Sequence, residues 1–158
     1  MSLVLDSSVT LAWIYSEETT EPIRQVFYAV AEHGATVPTL WRLEVANSLT
    51  VAVRRGRIDA DFRSAALADL ALLDITTVPH NDSLAWGQTL ALADRFRLTV
   101  YDAAYLELAQ RRALPLATLD EELGAAAAGL GLPVLGAWSC RVKCFQPRCG
   151  RLERFRLQ

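Results

Sequence analysis

The sequence predicts an α/β fold in which a parallel sheet carries helices on both faces. Three observations predict it. Short apolar runs alternate with segments of helical periodicity, an aspartate (Asp6, Asp102 or Asp120) stands directly after three of those runs, and no self-similar repeat competes with this pattern. Alternating strands and helices imply right-handed crossovers and therefore parallel strands, although the pattern does not contain the order of the strands.

Residues 2–5 read as the first strand, because the apolar run meets Asp6 and Ser7-Ser8 before a helical pattern over residues 9–16. Pro22 fits the first turn of a helix over 21–32, which Gly34 stops. Residues 35–38 follow as a brief strand. Leu40, Leu43, Ala46, Leu49 and Val53 carry helical spacing up to Gly56, and Asp59 or Asp61 caps a further helix through Leu73. The β-branched run 75–78 reads as a strand and 82–96 as an amphipathic helix. Strands at 98–101, 114–119 and 132–135 then alternate with helices at 102–112 and 121–128.

At 158 residues the chain fits one domain with one core. The apolar stretch 123–138 is broken by four glycines and Pro133, so no segment approaches membrane-spanning length. The N-terminus lacks the basic region of a signal peptide, and the expectation is a cytoplasmic protein with reduced cysteines. Residues 1–138 hold 10 Arg against 17 Asp plus Glu, whereas residues 139–158 hold five Arg and Lys143 against Glu153. The chain thus divides into an acidic body, 1–138, and a basic Cys-containing tail, 139–158.

In a parallel sheet, carboxylates placed just after strands converge on one end, the crevice where ligands bind. Each aspartate also has a plainer reading as a helix N-cap, and Thr118 with Glu121 matches a capping box. Capping and cation binding are compatible, since a carboxylate accepts one N–H and still presents an oxygen. Glu44 lies in a helix on a face shared with Leu40, Asn47, Ser48, Val51 and Arg55, a face with less charge than a solvated exterior usually carries. Clustered carboxylates repel one another unless a cation neutralises them, and an oxygen-only donor set suits Mg²⁺ or Mn²⁺ better than zinc. His33 and His80, the only histidines, read as surface residues.

Four segments together resemble the PIN-domain ribonucleases, and among them the VapC-type toxins of toxin–antitoxin pairs. They are Val4-Leu5-Asp6-Ser7-Ser8, Glu44-Val45-Ala46-Asn47-Ser48-Leu49, the run from Tyr101-Asp102 to Leu108-Ala109, and Leu116-Ala117-Thr118-Leu119-Asp120. They occur in the family's order and at similar spacing, over residues 1 to about 137. The resemblance implies a three-layer α/β/α sandwich and an Mg²⁺-dependent endoribonuclease site made of Asp6, Glu44, Asp102 and Asp120, supported by Ser8, Asn47 and Thr118. It also implies a homodimer, a VapB-type antitoxin that covers the site in a hetero-oligomer, and operator DNA bound through that complex. The tail from Ser139 has no counterpart in the compact family pattern.

The acidic body does not attract a polyanion, so RNA contacts must come from local cations. Arg42, Arg54, Arg55 and Arg57 flank the Glu44 helix and are the first candidates, with Arg95, Arg97, Arg111 and Arg112 as further ones; the plainer reading of most of them is as solvated helix ends. Cys140, Cys144 and Cys149 lack a zinc spacing and read as free thiols, and the four tryptophans read as core. An aspartyl-phosphate phosphotransfer domain is the main rival, since it also gathers acids and Mg²⁺ at strand ends. It needs a lysine after a late strand, however, and the only lysine is Lys143 in the tail. A catalytically inert subunit that binds antitoxin and operator is the non-enzymatic alternative.

Overall fold

The structure, a computed structural model, describes residues 2–79 and 82–136. Its sheet comprises β1 (Leu3–Leu5), β2 (Ala35–Pro38), β3 (Ile75–Val78), β4 (Leu116–Ala117) and β5 (Val134–Leu135). The order is β3-β2-β1-β4-β5 and every neighbouring pair is parallel. β1 lies at the centre, which explains its composition: a strand covered on both faces has no polar side, and all three of its residues are buried.

Helices α1 (Ser7–Ile14) and α2 (Glu21–His33) link β1 to β2, and α3 (Trp41–Arg54) and α4 (Ala60–Leu70) link β2 to β3. The return to β4 runs through α5 (Asp82–Leu84), a π-helical turn (Ala85–Thr89), α6 (Leu90–Phe96) and α7 (Val100–Arg112); α8 (Glu121–Gly129) leads on to β5. The first two connections step outward from β1, and the third crosses back past it. Right-handed crossovers therefore put α5–α8 on the face opposite α1–α4. The packing agrees, with α1 against α2 and α3 and α7 against α6 and α8, so the architecture is the three-layer α/β/α sandwich expected. The direction reverses at the β1–β4 boundary, where such a sheet opens a crevice at its carboxyl end.

α7 is the central helix of its layer. Every residue from Ala103 to Ala109 is buried, and the helix contacts β1, β2 and β4. Glu107 is buried there with its charge paired, because Arg111 one turn later donates to Oε1 at 2.6 Å. On the other face Gly34 ends α2 at φ 70°, and a Cβ at that position would lie 2.8 Å from the Asp74 carbonyl oxygen that also accepts the Ala35 N–H. Only glycine fits that close approach.

Several expectations are corrected. Residues 98–101 form no strand: Val100 and Tyr101 are exposed and helical, and Thr99 caps α7 by accepting the Asp102 N–H at 3.1 Å. A β-branched run forms a strand only when burial rewards it, and here the threonine cap prevails. Asp59 rather than Asp61 caps α4, accepting the Phe62 N–H at 2.7 Å. Among the tryptophans Trp41 is buried and Trp13 half-buried, but Trp86 is 84% exposed. The tail 139–158 with its cysteines and Lys143, together with His80 and Trp138, lies outside the described residues. Among the described residues no helix is long and apolar enough to cross a membrane.

Candidate active site

Asp6 follows β1 directly, and its N–H donates to the Ala117 carbonyl of β4 at 3.0 Å, so the side chain starts at the sheet's switch point. It precedes α1 but makes no capping hydrogen bond. Its partners are hydroxyls: Ser8 Oγ donates to Oδ2 at 2.5 Å, Thr118 Oγ1 to the same oxygen at 2.7 Å, and Ser7 Oγ to Oδ1 at 3.4 Å. Asp6 is only 5% exposed, and burial raises its pKa above the ordinary carboxylate value. The hydroxyls oppose that rise and the charge of Asp102 adds to it.

Glu44 stands half-buried in the first turn of α3. Tyr105 of α7 donates its phenolic O–H to Glu44 Oε2. Burial raises the Glu44 pKa, the Tyr105 bond works against this, and the charges of Asp6 and Asp102 raise it further. Tyr105 is itself fully buried, and burial followed by the Glu44 contact drives its pKa upward. Asp102 arrives on the first turn of α7, where Thr99 Oγ1 donates to its Oδ2 at 2.6 Å while accepting its N–H.

Asp120 stands apart. It is exposed and caps α8, accepting the Leu123 N–H on Oδ1 at 2.7 Å, so the capping-box reading of Thr118 does not hold. Thr118 is used differently: while donating to Asp6, it accepts the Asp120 N–H at 3.0 Å. Ser8 has the same double role, accepting the Leu119 N–H at 3.0 Å. The fold therefore brings Asp6, Glu44 and Asp102 into one electrostatic field and ties Asp120 to them through Thr118. Asn47 is exposed, and no hydrogen bond joins it to the acids.

Tyr105, Thr99 and Ser7 were not expected in the site. A signal existed for two of them, since Tyr105 lies three residues after Asp102 on the same helix face and Thr99 lies three residues before it, the N-cap spacing. The pairing of Tyr105 with a residue 61 positions away had no such signal.

Among the described residues no ion pair involves any of these four acids. Neutral hydroxyls orient Asp6, Glu44 and Asp102, and no cationic side chain among the described residues compensates their like charges. The described residues hold no ready-made cage of three or more His, Cys, Asp or Glu side chains. Mg²⁺ does not require one, because it keeps several waters and binds through one or two carboxylates plus substrate phosphates. The donor set fits that ion.

Of the arginines considered for RNA, Arg42, Arg54 and Arg55 are exposed on or just past α3. Arg57 is held elsewhere: it donates to Glu17 at 2.8 Å and to Glu18 at 2.6 Å, and its guanidinium lies 3.7 Å from the centre of the Tyr15 ring.

A model of the PIN domain matches residues 3–129. The chain is 35% identical over 124 residues to Ribonuclease VapC3 of Pyrobaculum aerophilum, covering 78% of this chain and 92% of that protein. It shares its fold with the crystal structure of PAE2754 from Pyrobaculum aerophilum, with a TM-score of 0.62 at 23% identity over 80% of this chain and 84% of that one. It also superposes on VapBC2 from Rickettsia felis bound to a DNA fragment from their promoter, with a TM-score of 0.58 at 11% identity over 85% and 97% of the two chains.

Proposed function

Because the chain belongs to the PIN-domain family, we propose that it is a metal-dependent endoribonuclease toxin that hydrolyses RNA phosphodiester bonds and is neutralised by a cognate antitoxin. The observation that carries this reading is the cluster of Asp6, Glu44 and Asp102 at the sheet's switch point, oriented by hydroxyls and lacking any cation from the described residues.

Asp6, Glu44 and Asp102 are the residues that would hold Mg²⁺, directly or through its waters, with Mn²⁺ as a substitute. The bound ion supplies charge neutralisation and an activated water for in-line attack on phosphorus. Ser8 and Thr118 fix the Asp6 carboxylate, Tyr105 fixes Glu44, and Thr99 fixes Asp102. Asp120 commits one oxygen to the Leu123 N–H and keeps the other to orient a water. Attack by water rather than a ribose 2′-hydroxyl leaves 5′-phosphate and 3′-hydroxyl ends.

Arg42, Arg54 and Arg55 supply phosphate contacts close to Glu44 along the chain, and the basic residues 139–158 add to them. α4 buries none of its residues and exposes Phe62 and Leu67, and Leu67 lines a groove of about 330 Å³ together with Trp41, Arg42, Val45 and Leu70. That surface supports docking of an amphipathic segment of a VapB-type antitoxin. We read the assembly as a cytoplasmic homodimer whose antitoxin complex binds operator DNA.

The test is incubation of the purified protein with total bacterial RNA in Mg²⁺ or Mn²⁺ and in EDTA, beside Asp6→Asn, with mapping of new 5′-phosphate ends. Discrete metal-dependent cuts missing from the variant are expected. Cleavage that survives EDTA, or 2′,3′-cyclic phosphate ends, would overturn the mechanism.

A further inference from the structure

Glu44 has three rotatable side-chain bonds, is half-buried, and faces the like charges of Asp6 and Asp102. Repulsion and side-chain entropy both favour swinging its carboxylate outward to water. What opposes this is the hydroxyl of Tyr105, a fully buried residue whose one polar side-chain atom donates to Glu44 Oε2. A tyrosine in a core position must satisfy its O–H. The helix of Tyr105 carries Asp102 three residues earlier, so α7 sets one acid and anchors another with adjacent turns. Ser7 on α1 donates to Asp6 and so orients the neighbouring acid.

We infer that Tyr105 is a positioning residue: its hydroxyl holds the Glu44 carboxylate inward, in the field of Asp6 and Asp102, where it would meet a divalent cation. This rests on the metal-dependent nuclease reading. Hydrogen bonds to the outer side of a ligating group fix its orientation, and their loss typically lowers metal affinity about 10–100-fold. The ring fills core volume in either case, so Tyr105→Phe removes the anchor and keeps the packing.

The experiment titrates Mn²⁺ into the full-length wild type, Tyr105→Phe, Tyr105→Leu and Glu44→Gln without RNA, by calorimetry and by the Mn²⁺ electron paramagnetic resonance signal. Cleavage is then followed as Mn²⁺ rises. Tyr105→Phe should bind Mn²⁺ about 10–100-fold more weakly, with a circular dichroism spectrum like the wild type. Its cleavage should recover at high Mn²⁺ with KM for RNA unchanged, while Glu44→Gln should not recover. Wild-type Mn²⁺ affinity in a folded Tyr105→Phe protein would overturn the assignment. Should that variant fail to fold, Tyr105→Leu decides by the same readouts, since it too removes the hydroxyl, and wild-type affinity in its folded form would equally overturn the assignment. Failure of the wild type itself to bind Mn²⁺ would instead overturn the nuclease reading on which the inference stands.

Discussion

Thr118→Val isolates how the fold maintains a buried carboxylate without a protein cation. Thr118 is 1% exposed and donates to Asp6 Oδ2 at 2.7 Å, while accepting the Asp120 N–H at 3.0 Å. Valine keeps the branched shape and removes both bonds. The Asp120 backbone belongs to an exposed residue, so its N–H recovers water and contributes little to the loss. The Asp6 carboxylate cannot recover in the same way, and a hydrogen bond to a charged group contributes about 1.5–3 kcal/mol. Metal-free stability at pH 7.5 should therefore fall by about that amount.

The pH dependence supplies the sharper test. Burial raises the folded pKa of Asp6 above the ordinary aspartate value, so its ionisation costs stability in the metal-free protein. That cost is absent below the unfolded pKa and grows as pH rises towards the folded pKa. Loss of the Thr118 bond raises the folded pKa further and enlarges the cost at high pH. Below the unfolded pKa Thr118 faces a neutral acid, and the variant should lose only about 0.5–1.5 kcal/mol. Urea unfolding in EDTA at pH 3.5 and pH 7.5 measures both values, provided the protein remains folded at the acid end. Equal losses at the two pH values would refute the claim that the bond serves the ionised carboxylate.

Asp102→Asn should abolish cleavage while leaving the metal-free fold as stable or more stable, because one like charge is removed from beside Asp6 and Glu44; clear destabilisation in EDTA would mean that Asp102 serves the helix rather than the site. Arg57→Ala should cost about 1 kcal/mol from a surface ion pair and a stacked ring and leave RNA affinity unchanged, read by thermal melting and filter binding. Neutralising Arg42, Arg54 and Arg55 to Gln should weaken RNA binding and flatten its salt dependence by about 0.7 in slope for each phosphate no longer neutralised. Gly34→Ala should destabilise by about 1–3 kcal/mol, since it combines a positive φ with a Cβ 2.8 Å from the Asp74 carbonyl, and denaturant melts read it directly.

Several site features were legible in the chain because they are local. Asp6 directly after a buried apolar run, Glu44 on a sparsely charged helix face, and Gly34 at a helix end follow from spacing and composition. The strand assigned to residues 98–101 failed because β-branched residues and a helix cap use the same letters, and exposure decides between them. Asp102 consequently reaches the site from the first turn of a helix rather than from the end of a strand.

The sequence by itself determined the layered α/β class and the all-apolar first strand, and made Asp6, Glu44, Asp102 and Asp120 the candidate acids, because periodicity, composition and motifs are properties of short segments. Only the tertiary structure decided the strand order, the reversal at β1–β4, and the hydroxyls that hold each acid. Thr118 reaches Asp6 across 112 positions and Tyr105 reaches Glu44 across 61. Such contacts depend on which strands become neighbours and on which face a crossover packs, and no local pattern carries that information.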